Sequence, residues 1–168
     1  MLPDVLEENL NVVFVGTAKG VSSARKGFYY AGPGNKFYSV LYNTGLTSRK
    51  INPEECYELA SYKIGLTDLV PNKAGNDTEL EEEDFDIESF HLKILKFKPK
   101  IVAFNGKLAA SYFFGLRGKT KDINFGLQNI KVLDTLFFVL PSTSGSGARY
   151  WNEKWWKDLN NLINHCEI

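Results

Sequence analysis

The chain has 168 residues, of which 43% are hydrophobic and 14% are aromatic. This composition argues against a disordered chain, and the length suits one domain with a core of its own, so we expect a single domain over residues 1–168. Lysine and arginine together number 20, as do aspartate and glutamate, so the formal net charge is zero. A neutral total does not by itself indicate a nucleic-acid partner.

No apolar run is long enough to span a bilayer, and the first residues lack the basic start and apolar stretch of a secretion signal. We therefore expect a cytoplasmic protein without a membrane partner. The two cysteines, Cys56 and Cys166, lie far apart and lack metal-ligand spacing. This predicts structural thiols rather than a disulfide, a metal site or an iron–sulfur site.

The negative charge is concentrated in one segment. Residues 77–88 hold eight of the 20 acidic residues and no lysine or arginine, which leaves 20 basic against 12 acidic residues, or +8, elsewhere. A basic face for phosphate contact is therefore compatible with the neutral total. The segment itself is typical of a solvated loop and helix start, and nothing arranges its carboxylates around a common point as a metal site requires.

Apolar periodicity and turn residues predict alternating strands and helices. In chain order we predict a strand at residues 11–16, helices at 36–44 and 53–62, a short strand at 64–67, a polar loop at 71–85 and a helix at 86–97. There follow a strand at 101–105, a helix at 107–114, an edge strand at 129–133, a strand at 136–140 and a helix at 150–164. This order favours an α/β fold, namely a three-layer α/β/α sandwich around a mainly parallel central sheet.

The last predicted helix carries an apolar stripe made of Trp151, Trp155, Leu159 and Leu162. Residues at this spacing lie on one face of a helix, so we expect the stripe to pack on the core. Tryptophans in such a stripe are more often core residues than ligand contacts.

The loops that follow the strands are candidate ligand sites, because the carboxyl ends of parallel strands meet at one edge of a sheet. The first of these loops lies between Gly16 and Gly20, whose glycines permit tight backbone geometry or close approach of a ligand. We expect the loops at the strand ends to converge at Thr17, Asp68, Asn105 and Ser142.

The loop over residues 27–38 has the composition of a pocket for a flat ring. It combines adjacent aromatic residues with Pro33, which makes it a defined turn that can hold Tyr30 and Asn35 in fixed orientations. The alternative, that its aromatic residues are simply core, applies most clearly to Phe37.

Several motifs occur in a recognisable order: residues 16–20, 22–23, 27–38, 45–47, 64–70, 101–107 and 139–145. This order resembles the mismatch-specific branch of the uracil-DNA glycosylase superfamily, and it also resembles the hypoxanthine-DNA glycosylase branch. The match spans roughly residues 10–160, and the ordered set is more specific than any one motif. The resemblance implies a DNA glycosylase that uses no cofactor and no metal.

Two departures from the family pattern fall in the first motif. In the mismatch-specific enzymes this motif is Gly-Ile-Asn-Pro-Gly, and its asparagine positions the attacking water. Here Ala18 stands at that place and Lys19 replaces the proline. Alanine cannot polarise water, so another residue must do so. The two histidines, His91 and His165, lie in predicted helices away from the motifs, so we do not expect a histidine electrophile.

Asn35 is the first candidate for the catalytic residue. The resemblance to the hypoxanthine branch implies a catalytic asparagine in this loop, and an amide can read a base edge or polarise water. Asp68 is the alternative, because a carboxylate directly after a strand can activate water or stabilise an oxocarbenium-like sugar. A purely structural role for Asp68, as the cap of a short helix or turn, stays open.

The base-binding candidates lie in the same loops. The resemblance places Tyr30 where the mismatch-specific enzymes have a stacking phenylalanine, so we expect its ring to stack on a flipped base. Backbone amides of the first motif are expected to stabilise negative charge that develops on a base oxygen. The predicted base-binding set is Thr17, Ala18, Lys19, Tyr30 and Ser142.

DNA contacts are expected from loops and helix starts that offer small hydroxyl residues, backbone amides or basic side chains. The predicted set is Ser22, Ser23, Lys107, Ser144, Gly145, Ser146 and Arg149. Ser146 stands where related enzymes insert a bulky wedge into the base stack. Because a serine fills that space poorly, Tyr150 is a second candidate for the wedge. The alternative is that residues 142–147 form only a flexible linker.

Three functions remain open at this point. The leading one is a monofunctional DNA glycosylase that acts as a monomer on DNA containing deaminated bases, with a nucleophilic water and without a cofactor. The second is a nucleic-acid or nucleobase binding protein that kept the pocket and lost the chemistry, as Ala18 allows. The third is a hydrolase that uses Ser142 or Ser144, although the sequence has no Gly-x-Ser-x-Gly elbow.

Overall fold

The computed structural model describes residues 2–165 and contains a five-stranded sheet. The spatial order of its strands is β2-β1-β3-β5-β4, with β4 antiparallel at one edge and the other four strands parallel. In chain order the strands are β1 (Val12–Gly16), β2 (Ile64–Asp68), β3 (Ile101–Asn105), β4 (Gly126–Val132) and β5 (Thr135–Leu140). Every residue of β1 and β2 is buried, as expected of parallel strands that are covered on both faces.

Helices cover both faces of the sheet. Within the described residues the α-helices are α1 (Val21–Lys26), α2 (Phe37–Asn43), α3 (Ile87–Phe97), α4 (Lys107–Phe113) and α5 (Glu153–His165). The 3₁₀ segments are Pro53–Tyr62, Asp77–Glu79, Glu82–Asp84 and Gly145–Tyr150. None of the helices in this part of the chain is long and apolar enough to cross a membrane.

Two apolar layers enclose the sheet. On one face, Phe14 of β1 contacts Phe37 of α2 and Trp156 of α5, with ring centroids 5.3 and 5.4 Å apart. On the other face, Phe104 of β3 lies 6.3 Å from Phe90 of α3. Such large aromatic side chains bury much apolar surface and fix the helices against the sheet. The predicted three-layer α/β/α sandwich is therefore confirmed.

The apolar stripe of α5 has a different register from the predicted one. Its fully buried tryptophan is Trp156, whose indole Nε1 donates to the carbonyl of Pro141 at 3.3 Å. Leu159 is fully buried as predicted, whereas Trp155 is only partly buried and packs against Phe125. Periodicity alone does not show which of the adjacent residues Trp155 and Trp156 is buried. In the structure the hydrogen bond to Pro141 holds Trp156 in the core.

Several element boundaries also differ from the predictions. Residues 53–62 form a 3₁₀ segment rather than an α-helix, and β4 begins at Gly126, earlier than expected. The last helix begins at Glu153 because a 3₁₀ turn occupies the residues before it. Helix α1 was not predicted at all. Cys56 is a buried free thiol, as predicted, and Cys166 lies outside the described residues.

The strand register places the predicted site residues at one edge. Gly16, the last residue of β1, pairs with Asp68, the last residue of β2. Asn105, the last residue of β3, pairs with Leu140, the last residue of β5. The loops that follow these four strands therefore start side by side at the carboxyl edge of the sheet, where ligands bind in open α/β folds.

Candidate active site

The loop after β1 carries a lysine side chain into the site. The side chain of Lys19 is 8% exposed, and its ammonium lies 3.0 Å from Oδ2 of Asp68, whose side chain is 4% exposed. A Cβ atom at Gly16 would lie 2.8 Å from Oδ1 of Asp68, so only glycine leaves room for the carboxylate. The loop after β1 and the end of β2 thus meet in a buried ion pair.

Burial has the largest effect on the ionisation of Asp68. It raises the pKa of the carboxyl from 3.8 to about 6, while the nearby Lys19 ammonium opposes this shift. Asp68 is therefore ionised at neutral pH and is a stronger base than an exposed carboxylate. Such a group suits proton transfer from water near neutral pH.

Tyr30 contributes both an aromatic ring and a hydroxyl to the site. Its backbone φ is +53°, a left-handed conformation that is uncommon for a bulky residue and that clusters at functional sites. The ring stacks on Phe37 with centroids 4.1 Å apart. A Cβ atom at Gly16 would lie 3.5 Å from the Tyr30 hydroxyl and 2.8 Å from Oδ1 of Asp68. Both side chains therefore approach the same face of Gly16. Burial and the charge of Asp68 raise the pKa of Tyr30, so the hydroxyl stays protonated.

Two buried polar atoms of the site have no hydrogen-bond partner. Among the described residues, Tyr30 Oη and Asp68 Oδ2 are the buried side-chain oxygen or nitrogen atoms in this condition. Asp68 Oδ2 is nevertheless paired with the Lys19 ammonium 3.0 Å away, so the Tyr30 hydroxyl is the less satisfied of the two atoms. Because native proteins pair nearly all their buried polar groups, a buried hydroxyl without a partner near a buried carboxylate indicates a place for a polar ligand atom or a water.

Asn35 has one half of its amide engaged. Its Oδ1 accepts a hydrogen bond from the backbone N–H of Phe37 at 3.0 Å, at the start of α2. The side chain is half-buried. This contact leaves the amide N–H groups as the part of Asn35 that suits a base oxygen or a water.

Thr143 joins three motifs of the site. The side chain of Asn105 donates to Thr143 Oγ1 at 2.9 Å and accepts from Thr143 N at 3.0 Å. The carbonyl of Thr143 accepts from the backbone N–H of Lys36 at 2.9 Å. The end of β3, the aromatic loop and the loop after β5 are therefore held at fixed distances from one another.

The loop after β5 presents polar groups to solvent. Ser142 is half-buried and its Oγ accepts from Ser144 N at 3.2 Å, while the hydroxyls of Ser144 and Ser146 lie 2.9 Å apart. Arg149 and Tyr150 are exposed, and Tyr150 exposes 62% of its surface. Gly145 is exposed as well, so much of this loop is accessible to a partner.

Two other residues predicted to contact DNA, Ser23 and Lys107, interact with groups within the protein. Ser23 is buried, and its Oγ accepts from Ala31 N at 3.0 Å, whereas Ser22 is half-buried. The ammonium of Lys107 lies 4.4 Å from the ring centroid of Phe125. These interactions position α1 and α4 beside the site, and the predicted contacts of Ser22, Ser23 and Lys107 with DNA stay predictions.

The acidic segment lies against the first motif, a contact that sequence reasoning missed. Thr17 Oγ1 donates to Asp77 Oδ1 at 2.6 Å. Lys19 pairs with Ala74 in a parallel bridge, and its carbonyl accepts from Gly75 N at 3.0 Å. The loop over residues 71–79 therefore fixes the backbone of the first motif, including half-buried Ala18.

Comparison with known proteins identifies the family. The model of the uracil DNA glycosylase superfamily matches residues 3–163. The chain belongs to the uracil DNA glycosylase superfamily. A solution NMR structure from Methanosarcina acetivorans, which carries the designation of a candidate uracil DNA glycosylase, matches with a TM-score of 0.69 and 24% sequence identity. The match covers 98% of this chain and 97% of that one. At this identity it supports the shared fold of the superfamily.

Proposed function

We propose that this member of the superfamily is a monofunctional DNA glycosylase. It would hydrolyse the N-glycosidic bond of uracil or another deaminated base in DNA, as a monomer of one domain and without a cofactor. The observation that carries the proposal is the buried Tyr30 hydroxyl without a hydrogen-bond partner, near the buried Lys19–Asp68 ion pair, at the loop edge of a uracil DNA glycosylase fold. A water bound there would accept from the Tyr30 hydroxyl and donate to the Asp68 carboxylate.

In this mechanism the target base leaves the stack and lies against the ring of Tyr30. Asp68 accepts a proton from a water, whose oxygen attacks C1′ of the deoxyribose. The bond between C1′ and the base nitrogen breaks, and its electron pair leaves with the base. The amide N–H groups of Asn35 stabilise the negative charge on the departing base. Exposed Arg149 and the hydroxyls of Ser144 and Ser146 contact phosphates.

The second candidate function is binding of damaged DNA without turnover. Ala18 supports it, because no polar side chain stands at the place of the family's water-positioning asparagine. Turnover separates the two candidates, since both predict affinity for lesion DNA and only the first predicts an abasic product.

The experiment is an assay of abasic-site formation on a panel of oligonucleotides that each contain one lesion: uracil, hypoxanthine or xanthine. It is done with excess protein at low salt, in the presence of a chelator. We expect cleavage of at least one lesion by the parental protein and loss of cleavage in Asp68→Asn, which keeps the shape of the side chain. If the parental protein binds lesion DNA but cleaves none, the second candidate replaces the first.

A further inference from the structure

We propose that Lys19 is a positioning residue, which holds the Asp68 carboxylate ionised and oriented for proton transfer from water. This inference rests on the proposed glycosylase function and assigns to Lys19 a role other than direct contact with the base. It also accounts for the lysine at a place where the family pattern has proline.

The lysine is held rigidly from three sides. Its backbone is fixed by Ala74 and Gly75, which precede the acidic run. Its ammonium lies 5.6 Å from the ring centroid of Tyr29, a distance at which a cation is attracted to an aromatic face. Its third contact is the carboxylate of Asp68 at 3.0 Å. A long flexible side chain with so little exposure is therefore pre-organised to present its charge to one carboxylate.

The other two charged groups around Asp68 act on its pKa in opposite directions. Asp4, from the N-terminal segment, raises the pKa of Asp68, whereas Lys93 of α3 lowers it. These two side chains form their own ion pair, with 2.6 Å between Lys93 Nζ and Asp4 Oδ2. Tyr29 and Tyr30, from the aromatic loop, face Asp68 as neutral hydroxyls because burial raises the pKa of each. Lys19 is thus the main cation that opposes the effect of burial on the pKa of Asp68.

The consequence is a defined change in the pH dependence of the reaction. A neighbouring opposite charge changes a carboxyl pKa by roughly 1–3 pH units, so a neutral residue at position 19 should move the Asp68 titration upward by that amount. The acid limb is the part of the pH–rate profile where the rate falls as Asp68 becomes protonated. If this limb lies near pH 6 in the parental protein, the ionised fraction of Asp68 at pH 7 falls roughly 2-fold to 100-fold in the variant. The rate should recover at about pH 9 to 10, where Asp68 loses its proton again.

The test compares single-turnover rates from about pH 5 to pH 10 for the parental protein, Lys19→Met, Lys19→Arg and Lys93→Met. We expect the acid limb to move upward by at least one pH unit in Lys19→Met and to return close to the parental position in Lys19→Arg. Lys93→Met removes a lysine that is already paired with Asp4 and should move the limb much less. A purely structural role of Lys19 would lower the amount of folded protein without moving the limb, and an unmoved limb overturns the proposal.

A titration of the Asp68 carboxyl carbon by NMR separates this proposal from the proposed function. It reads the ionisation of Asp68 without DNA, so it remains decisive if no lesion is cleaved. We expect Asp68 of the parental protein to titrate below about pH 7 and that of Lys19→Met at least one pH unit higher. If Lys19→Met does not fold, a parental titration above about pH 8 overturns the proposal by itself.

Discussion

The buried ion pair should reduce the stability of the protein in a pH-dependent way. Burial raises the pKa of Asp68 from 3.8 to about 6 even with Lys19 beside it. Below pH 3.8 the carboxyl is neutral in the folded and unfolded states, and it makes no difference to stability. Between pH 3.8 and about 6 the carboxyl is ionised in the unfolded state but still protonated in the folded state, so the unfolding free energy falls over this range. A folded-state pKa that lies about two pH units above the unfolded value corresponds to about 3 kcal/mol of lost unfolding free energy at neutral pH.

The double variant Lys19→Met/Asp68→Leu removes this titration and replaces both side chains with apolar ones of similar length. Its unfolding free energy minus that of the parental protein should increase between about pH 4 and pH 6 and stay level above that range. Replacement of a buried ion pair by apolar residues is often neutral or stabilising by about 1–4 kcal/mol, so the double variant should be at least as stable at neutral pH. Urea unfolding at several pH values, with the slope m compared between proteins, measures this. A difference that is constant or decreases over this range would refute the reasoning.

Three further predictions concern single contacts. Tyr30→Ala should weaken binding of lesion DNA by about 1–3 kcal/mol in a fluorescence anisotropy titration, with Tyr30→Phe close to parental, because one ring stacks on one base; equal affinity of the alanine variant contradicts this. Arg149→Ala should make the slope of log affinity against log salt shallower by about 1, and a flat parental response would exclude a phosphate-contacting face. Thr143→Val loses its hydroxyl bond to Asn105, which should lower the unfolding free energy by about 1–3 kcal/mol in urea; an unchanged midpoint would show that this junction is dispensable.

The layers of the fold could be predicted from the sequence because they depend on local periodicity. Apolar runs closed by glycine or polar residues indicated the parallel strands, and the amphipathic pattern of 86–97 indicated α3. Helix α1 escaped prediction because its sequence, VSSARK, has little apolar content that could mark a face, and Val21 is exposed. Its place depends on a tertiary contact, the bond of Ser23 Oγ with Ala31 N.

The site could be predicted as a set of loops but not as a set of contacts. The contacts depend on strand register, which the sequence does not show. Gly16 and Asp68 are adjacent only because β1 and β2 are parallel and their last residues pair with each other. Nothing local in the sequence indicates that Lys19 turns inward, since a lysine in a loop is normally solvated. The acidic segment shows the same limit, because its composition predicts a solvated loop while Asp77 bonds Thr17 of the first motif.

One matched pair of variants can separate the roles of Asn35 and Asp68. In the proposed mechanism Asp68 acts on the water and Asn35 acts on the leaving base. Asn35 Oδ1 already accepts from Phe37 N, so Asn35→Ala would remove a helix-start contact as well as the amide N–H groups. Asn35→Asp keeps the acceptor that bonds Phe37 N and replaces the N–H donors by a negatively charged oxygen, so it tests the donors while the helix-start contact stays.

If the N–H groups stabilise the departing base, the single-turnover rate of Asn35→Asp should fall by about 10²–10³ while its unfolding midpoint stays at or above the parental value. Asp68→Asn should then lose cleavage altogether, because no carboxylate accepts the proton of the water. A parental rate in Asn35→Asp would leave Asn35 with the structural role alone. The chemistry would then depend on Asp68, on the cation that holds it ionised and on the backbone donors of the first motif.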